Sequence, residues 1–144
     1  MSRPAFASFA RTVASLAPIP VVCAVIVRDG RILIAQRPPT KLMPLKWEFP
    51  GGKVEPGETA ETAIVREIRE ELGCVIVPHR ALPRFDHDYR TVVITMIPFV
   101  CVLASGSPEP QPHEHVAVAW VTPAELRTYD LAAADWPVIE AFDR

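Results

Sequence analysis

No apolar run in these 144 residues approaches the roughly 18 needed to cross a bilayer, so the chain carries no membrane-spanning helix to plan around. Neither sign of charge is in large excess. Fifteen basic against seventeen acidic side chains leave a net charge of −2 and a pI near 6.1. That balance argues against a general binder of duplex nucleic acid or of anionic membranes. Cysteine is scarce and odd in number, and Cys23, Cys74 and Cys101 lack metal-ligand spacing. Reduced, buried thiols in a cytoplasmic protein are the expectation. No repeat or low-complexity segment interrupts the chain. What is present is a 49% apolar sequence long enough for one domain with a real core. Sixteen prolines suit many short segments and turns better than a helix bundle.

Residues 1–18 form a separate N-terminal extension in this reading, helical or loose, with the domain occupying 19–144. Phe6, Phe9, Val13 and Leu16 recur at helical spacing beside uncompensated Arg3 and Arg11. That pattern is faintly transit-peptide-like, but it lacks a secretory apolar core of adequate length.

From Pro20 to Val27 the chain is continuously apolar and β-rich, the mark of a central strand buried on both faces. Asp29-Gly30 predicts a hairpin into a partner strand over 31–37. A polar, proline-rich loop follows to Leu45, then a short extended Trp47-Glu48-Phe49 leading into a glycine turn at Gly51-Gly52. Further strands are predicted over 75–82, 91–103 and 113–122, with a polar turn at 84–90. Thr122-Pro123 opens a short helix, and Asp135-Trp136-Pro137 introduces a last one. Strands flanking one central helix, with another at the end, predict an α/β sandwich.

The central helix runs from a Thr59 cap to Gly73. Ala60, Ala63, Ile64, Ile68 and Leu72 make one apolar stripe, while Thr62, Arg66 and Arg69 fall on the opposite, solvent side. Glu67, Glu70 and Glu71 break two rules at once. They stand at i, i+3 and i+4, where like charges repel, and they crowd the C-terminal half, where the macrodipole disfavours negative charge. Glu67 and Glu71 also overlap the apolar azimuth, which points them toward the protein. Such violations mark functional sites, and a divalent cation among the carboxylates is the simplest repair. The competing interpretation of the helix alone is an ordinary solvated, Arg-Glu-rich surface.

Gly52, five residues, Glu58, seven residues, then Arg66-Glu67-Ile68-x-Glu70-Glu71-x-Gly73 resembles the complete Nudix box. Cys74 departs from the family's bulky aliphatic there, although cysteine packs as a small hydrophobe. Residues from about 20 to 143 resemble a Nudix hydrolase, in its MutT-like branch of nucleoside triphosphate pyrophosphohydrolases. Trp47 to Lys53, Pro112 to His115 and Ala119-Trp120-Val121 carry the narrower match.

The resemblance implies an α/β/α sandwich with a mixed β-sheet. It also implies Mg²⁺, with Mn²⁺ as an alternative, held by the Gly51 carbonyl and by Glu67, Glu70, Glu71 and Glu114. It makes Glu67 or Glu114 the general base and leaves both open. Arg66 would hold a helix carboxylate in place, Glu58 would orient the loop carrying the glycine carbonyl, and Gly52 and Gly73 are structural in the motif. Arg37 and Lys53 match phosphate-binding positions, with Arg90 a weaker candidate. Phe49, Trp47 and Tyr89 offer stacking surfaces.

Asp135 sits where a base-reading side chain is expected; the alternative is that it merely caps the last helix. An ionised carboxylate there suits an exocyclic amine such as cytosine N4, and a protonated one also suits an oxidised guanine. His113-Glu114-His115 would place both histidines on one strand face, and two ligands without a third argue for surface histidines over zinc.

The expected reaction is Mg²⁺-dependent hydrolysis of a nucleoside triphosphate to monophosphate and pyrophosphate, on cytidine nucleotides or on 8-oxo-dGTP. Rival readings are removal of pyrophosphate from RNA 5′ ends, cleavage of ADP-ribose or a nucleotide sugar, and a catalytically silent nucleotide sensor. The expected partner is a small nucleotide, with the chain a monomer or homodimer.

Overall fold

A computed structural model describes residues 17–144. The predicted extension therefore lies outside the described residues, apart from its last two positions. The elements are β1 (Ile19–Arg28), β2 (Arg31–Gln36), β3 (Trp47–Glu48), β4 (Gly51–Lys53), α1 (Ala60–Leu72), β5 (Ile76–Ala81) and β6 (Phe85–Asp88). Then come β7 (Val93–Leu103), β8 (Ala117–Val121), α2 (Pro123–Leu126), a 3₁₀ turn (Ala133–Asp135) and α3 (Trp136–Asp143).

The eight strands form one mixed sheet in which β1 is central. It runs parallel to β7, from Ile19 beside Ile94 to Ile26 beside Cys101. It is antiparallel to β2 through the Asp29-Gly30 turn, where both residues adopt positive φ (51° and 74°), and antiparallel to β4. The apolar run of β1 is explained by its two buried faces. Val22, Ala24 and Ile26 join the core beneath α1, whereas Cys23 and Val25 face the core that holds Val138 and Ile139 of α3. Helices thus cover both faces of a mixed sheet, as an α/β/α sandwich requires.

Helix α1 begins at Thr59, whose side chain accepts from the Thr62 N–H, and ends at Gly73 in the left-handed region (φ 67°). Ala63, Ile64, Ile68 and Leu72 are buried, and each larger side chain contributes about 1.5–3 kcal/mol on burial. Thr122 and Glu125 form a capping box at α2, with Pro123 inside the first turn.

Several sequence expectations need correction. The glycine turn is a strand: Gly51 and Gly52 pair with Cys23 and Val22 of β1, and a Cβ on Gly51 would strike the Val22 carbonyl oxygen. The polar turn over 84–90 contains β6, which pairs with β7 from Phe85–Met96 to Asp88–Val93. The strand expected from His113 begins only at Ala117, so the alternating-face argument for His113 and His115 does not hold. Trp47 stacks edge-on against Tyr129 with ring centroids 5.1 Å apart, as part of the core.

Candidate active site

The short β4 strand sets the site. Its glycines bring the backbone against α1 so closely that a Cβ on Gly52 would land on the Glu67 carboxylate. The Gly51 backbone N–H lies near enough to Glu71 to favour its charged form. One helix face and one strand thus share a seam, and the carboxylates of α1 lie along it.

One end of that seam is electrostatically closed. Arg66 does not face solvent, as its helical azimuth suggests. Its Nε donates to Glu58 Oε2 at 2.7 Å, and its second nitrogen donates to Glu58 Oε1 at 2.9 Å and to the Lys53 carbonyl at 3.1 Å. The remaining nitrogen reaches Glu67 at 3.2 Å and Glu70 at 3.3 Å. The Arg66 hydrogen bonds, with the Glu55 N–H, hold Glu58 down at about 2. This bidentate pair fixes the β4–α1 loop to the helix.

The other end is open. Glu71 Oε1 is buried without a hydrogen-bond partner among the described residues. Burial, with Glu48, Glu67 and Glu114 nearby, pushes Glu71 up to about 9 against the smaller opposing effect of the Gly51 N–H. Burial also raises Glu67, partly offset by Arg66. Glu70 is the outermost of the three, with its side chain 53% exposed.

These groups line a cavity of about 520 Å³ with Gly51, Gly52, Lys53, Glu114, Arg37, Phe49 and Asp135. Its lining also carries an apolar set, Tyr89, Ile94, Met96, Ala132 and Ala134. Asp135 is 3% exposed and does not cap α3; its Oδ2 accepts from the Phe49 N–H at 3.1 Å. Burial, reinforced by Glu48, raises its pKa well above the ordinary aspartate range. Asp135 and Phe49 therefore share one cleft, contrary to the capping alternative.

Arg37 is also in the wall, but its guanidinium already donates to Glu48 Oε1 at 2.9 Å and to the Leu42 carbonyl at 2.6 Å. Glu48 Oε2 pairs with His115 Nε2 at 2.9 Å. Far from being a surface histidine, His115 has a side chain only 6% exposed. His113 is exposed but packs its ring beneath Gly73, where a Cβ would meet it at 2.6 Å.

The structure brings together all of Gly51, Gly52, Lys53, Glu67, Glu70, Glu71, Glu114, Arg37, Phe49 and Asp135. Arg66, Glu58 and Gly73 stand behind them as supports. Arg90 is the exception: it is exposed, at φ 75°, and outside the lining, where its neighbour Tyr89 takes the place. Sequence reasoning passed over Glu48, Lys41 and His115 as wall residues. Glu48 was the most accessible of these, as a lone acid between Trp47 and Phe49 in a half-buried strand.

Among the described residues, no three acidic, histidine or cysteine side chains converge closely enough to cage an ion on their own. Mg²⁺ asks less of a protein, because it keeps several waters and shares one or two carboxylates with substrate phosphates. The orphaned Glu71 oxygen, a buried acceptor among acids, fits a hard cation bound by oxygen.

Comparison with known proteins agrees with this architecture. The NUDIX domain profile matches residues 21–141. A CTP pyrophosphohydrolase of Escherichia coli K12 is 42% identical over 124 residues, covering 86% of this chain and 90% of that protein. The nucleoside triphosphatase NudI of another Escherichia coli strain is 35% identical over 126 residues, covering 79% and 89%. Among solved structures, the solution structure of the Escherichia coli ORF135 protein superposes with a TM-score of 0.77 at 40% identity, covering 90% of this chain and 91% of that one.

Proposed function

This chain belongs to the NUDIX domain family, and from that premise we propose that it hydrolyses a nucleoside triphosphate to the monophosphate and pyrophosphate with a divalent cation, Mg²⁺ or Mn²⁺. The observation that carries this reading is the unpartnered, buried Glu71 oxygen beside Glu48, Glu67 and Glu114. A carboxylate enclosed among other acids stays charged at neutral pH only with a cation beside it, and a polyphosphate brings the charge that a cation bridges.

Glu67, Glu70, Glu71, Glu114 and the Gly51 carbonyl would hold the ion, which when bound supplies charge neutralisation of the phosphates and a more acidic water. Arg66 positions Glu67 and Glu70 and ties both to the Glu58 loop. Glu67 or Glu114, both carboxylates beside the ion, would accept the proton of the attacking water. The water oxygen bonds to one of the two phosphorus atoms of the α–β anhydride. The P–O bond from that phosphorus to the bridging oxygen breaks, and the bridging oxygen leaves with the electron pair, giving monophosphate and pyrophosphate. Lys53 offers its ammonium to the phosphates from the cavity wall. Arg37, held by Glu48, contributes positive charge from a fixed position.

Cytidine nucleotides are the foremost candidates. Burial favours the protonated form of Asp135. In that form it would present both a hydroxyl donor and a carbonyl acceptor, which suits the N3 and N4 edge of cytosine as well as an oxidised guanine. The likeness to the CTP pyrophosphohydrolase supports the same choice. Pyrophosphate release from CTP, dCTP, 8-oxo-dGTP and 5′-triphosphate RNA, with and without Mg²⁺, tests the proposal. Metal-dependent turnover fastest on a cytidine nucleotide is expected; binding without turnover would point to a sensor instead.

A further inference from the structure

Lys41 is a cation in the cavity wall to which the reaction above gives no part. It stands on the β2–β3 loop, which is exposed yet held at several points. Arg37 Nε binds the Leu42 carbonyl at 2.6 Å, Gln36 Nε2 the Leu45 carbonyl at 3.1 Å, and the Leu45 N–H the Arg37 carbonyl at 3.1 Å. Met43 and Leu45 adopt positive φ (53° and 63°) within that loop, a conformation uncommon for such side chains and sustained by these bonds. Lys41 is thereby carried to the cavity by a defined backbone.

Its ammonium lies 3.9 Å from Glu114 Oε1, with the two side chains 53% and 48% exposed. That separation is an ion-pair contact beyond hydrogen-bond reach, and a pair so long and so wet restrains its partners weakly. Arg37 differs, because its guanidinium is engaged by both Glu48 and Leu42. Lys41 therefore remains free to take a better anion.

Its neighbour fixes which end of the cavity it serves. Glu114 lies close enough to Glu67 and Glu71 to raise both, so Lys41, in contact with Glu114, stands beside the acids of α1. With the base against Asp135 and the inner phosphates along α1, Glu114 and Lys41 are left for the far end of the polyphosphate. Lysine suits that end, since it binds phosphate as a mobile point charge where arginine demands a fixed fork.

We propose that Lys41 exchanges its contact with Glu114 for the terminal phosphate of the substrate, and so makes the site select triphosphates over diphosphates and monophosphates. This rests on the polyphosphate orientation in the function proposed above.

Calorimetric binding of CMP, CDP and α,β-methylene-CTP, in Mg²⁺, to the full chain and to its Lys41→Met and Lys41→Arg variants tests it. Lys41→Met is expected to weaken the triphosphate analogue about tenfold, equivalent to about 1.4 kcal/mol, while CMP and CDP stay within about twofold. Lys41→Arg is expected to restore most of the loss. An equal loss for all three ligands, or an unchanged triphosphate affinity, would overturn the assignment. So would a changed Mg²⁺ requirement with unchanged nucleotide affinity, which would make Lys41 only a partner of Glu114. Because the readout is binding, a wild-type protein that releases no pyrophosphate would count against the proposed reaction and leave the role of Lys41 to be decided by these affinities.

Discussion

The two ends of the α1 seam are built from the same residue type and behave oppositely. At one end Glu58 meets Arg66 in a bidentate pair and is held down at about 2. At the other, a few residues along the same helix, Glu71 has a bare buried oxygen and is pushed up to about 9. The closed end is a fastening, and in the function proposed above the open end is the site. On that proposal, carboxylates serve structure where a cation is built in, and chemistry where the cation comes from outside.

The contrast breaks most severely at the open end. Glu70→Gln or Glu71→Gln is expected to lower kcat by about 10²–10³-fold, the equivalent of several kcal/mol of lost charge stabilisation in the transition state, with the fold retained by circular dichroism. Arg66→Ala attacks the closed end and is expected to do less to the chemistry. It should lose roughly 10–100-fold in activity, as supports behind metal ligands do, together with a lowered Tm.

The sign of the pH dependence separates the ends further. Glu71 is raised above its free value near 4.5, so its burial costs nothing below that pH and increasingly destabilises the folded chain as pH climbs toward about 9. Glu71→Gln should therefore raise Tm in EDTA at pH 8 and leave it nearly unchanged at pH 4.5. Glu58 is lowered, so its stabilisation is present above about 4.5 and fades as pH falls toward about 2. Glu58→Gln should lower Tm at pH 7, with the difference from wild type closing in acid.

How much of this was visible in the sequence follows from what a side chain reveals at short range. The acids of α1 were legible because they violate helix rules within five residues, and β1 was legible because two buried faces leave no polar position. Strand β4 was not, since Gly51 and Gly52 carry no side chains whose alternation could show a strand; β1 across the sheet creates it. Strand β6 had an alternation, Phe85 and His87 against Asp86 and Asp88, masked by its polar content. His115 and Glu48 meet across 67 residues, and Lys41 and Glu114 across a cavity, so no local period announces either pair.

Asp135 gives the smallest expected effect. Asp135→Ala leaves the buried Phe49 N–H without its acceptor, which costs about 1–3 kcal/mol of stability. Asp135→Asn can still offer an acceptor to that N–H, and it is expected to shift the preference among CTP, dCTP and 8-oxo-dGTP while sparing kcat on the best of them.

Calorimetric titration of Mn²⁺ into the nucleotide-free full chain, between pH 6 and pH 9, tests the metal account most directly. Wild-type protein should bind the ion more tightly as pH rises, because Glu71 must lose a proton to ligate, and Glu71→Gln should bind at least about tenfold more weakly with a flat pH profile. Equal affinity in the two proteins, or wild-type binding indifferent to pH, would contradict a cation site at the open end of α1.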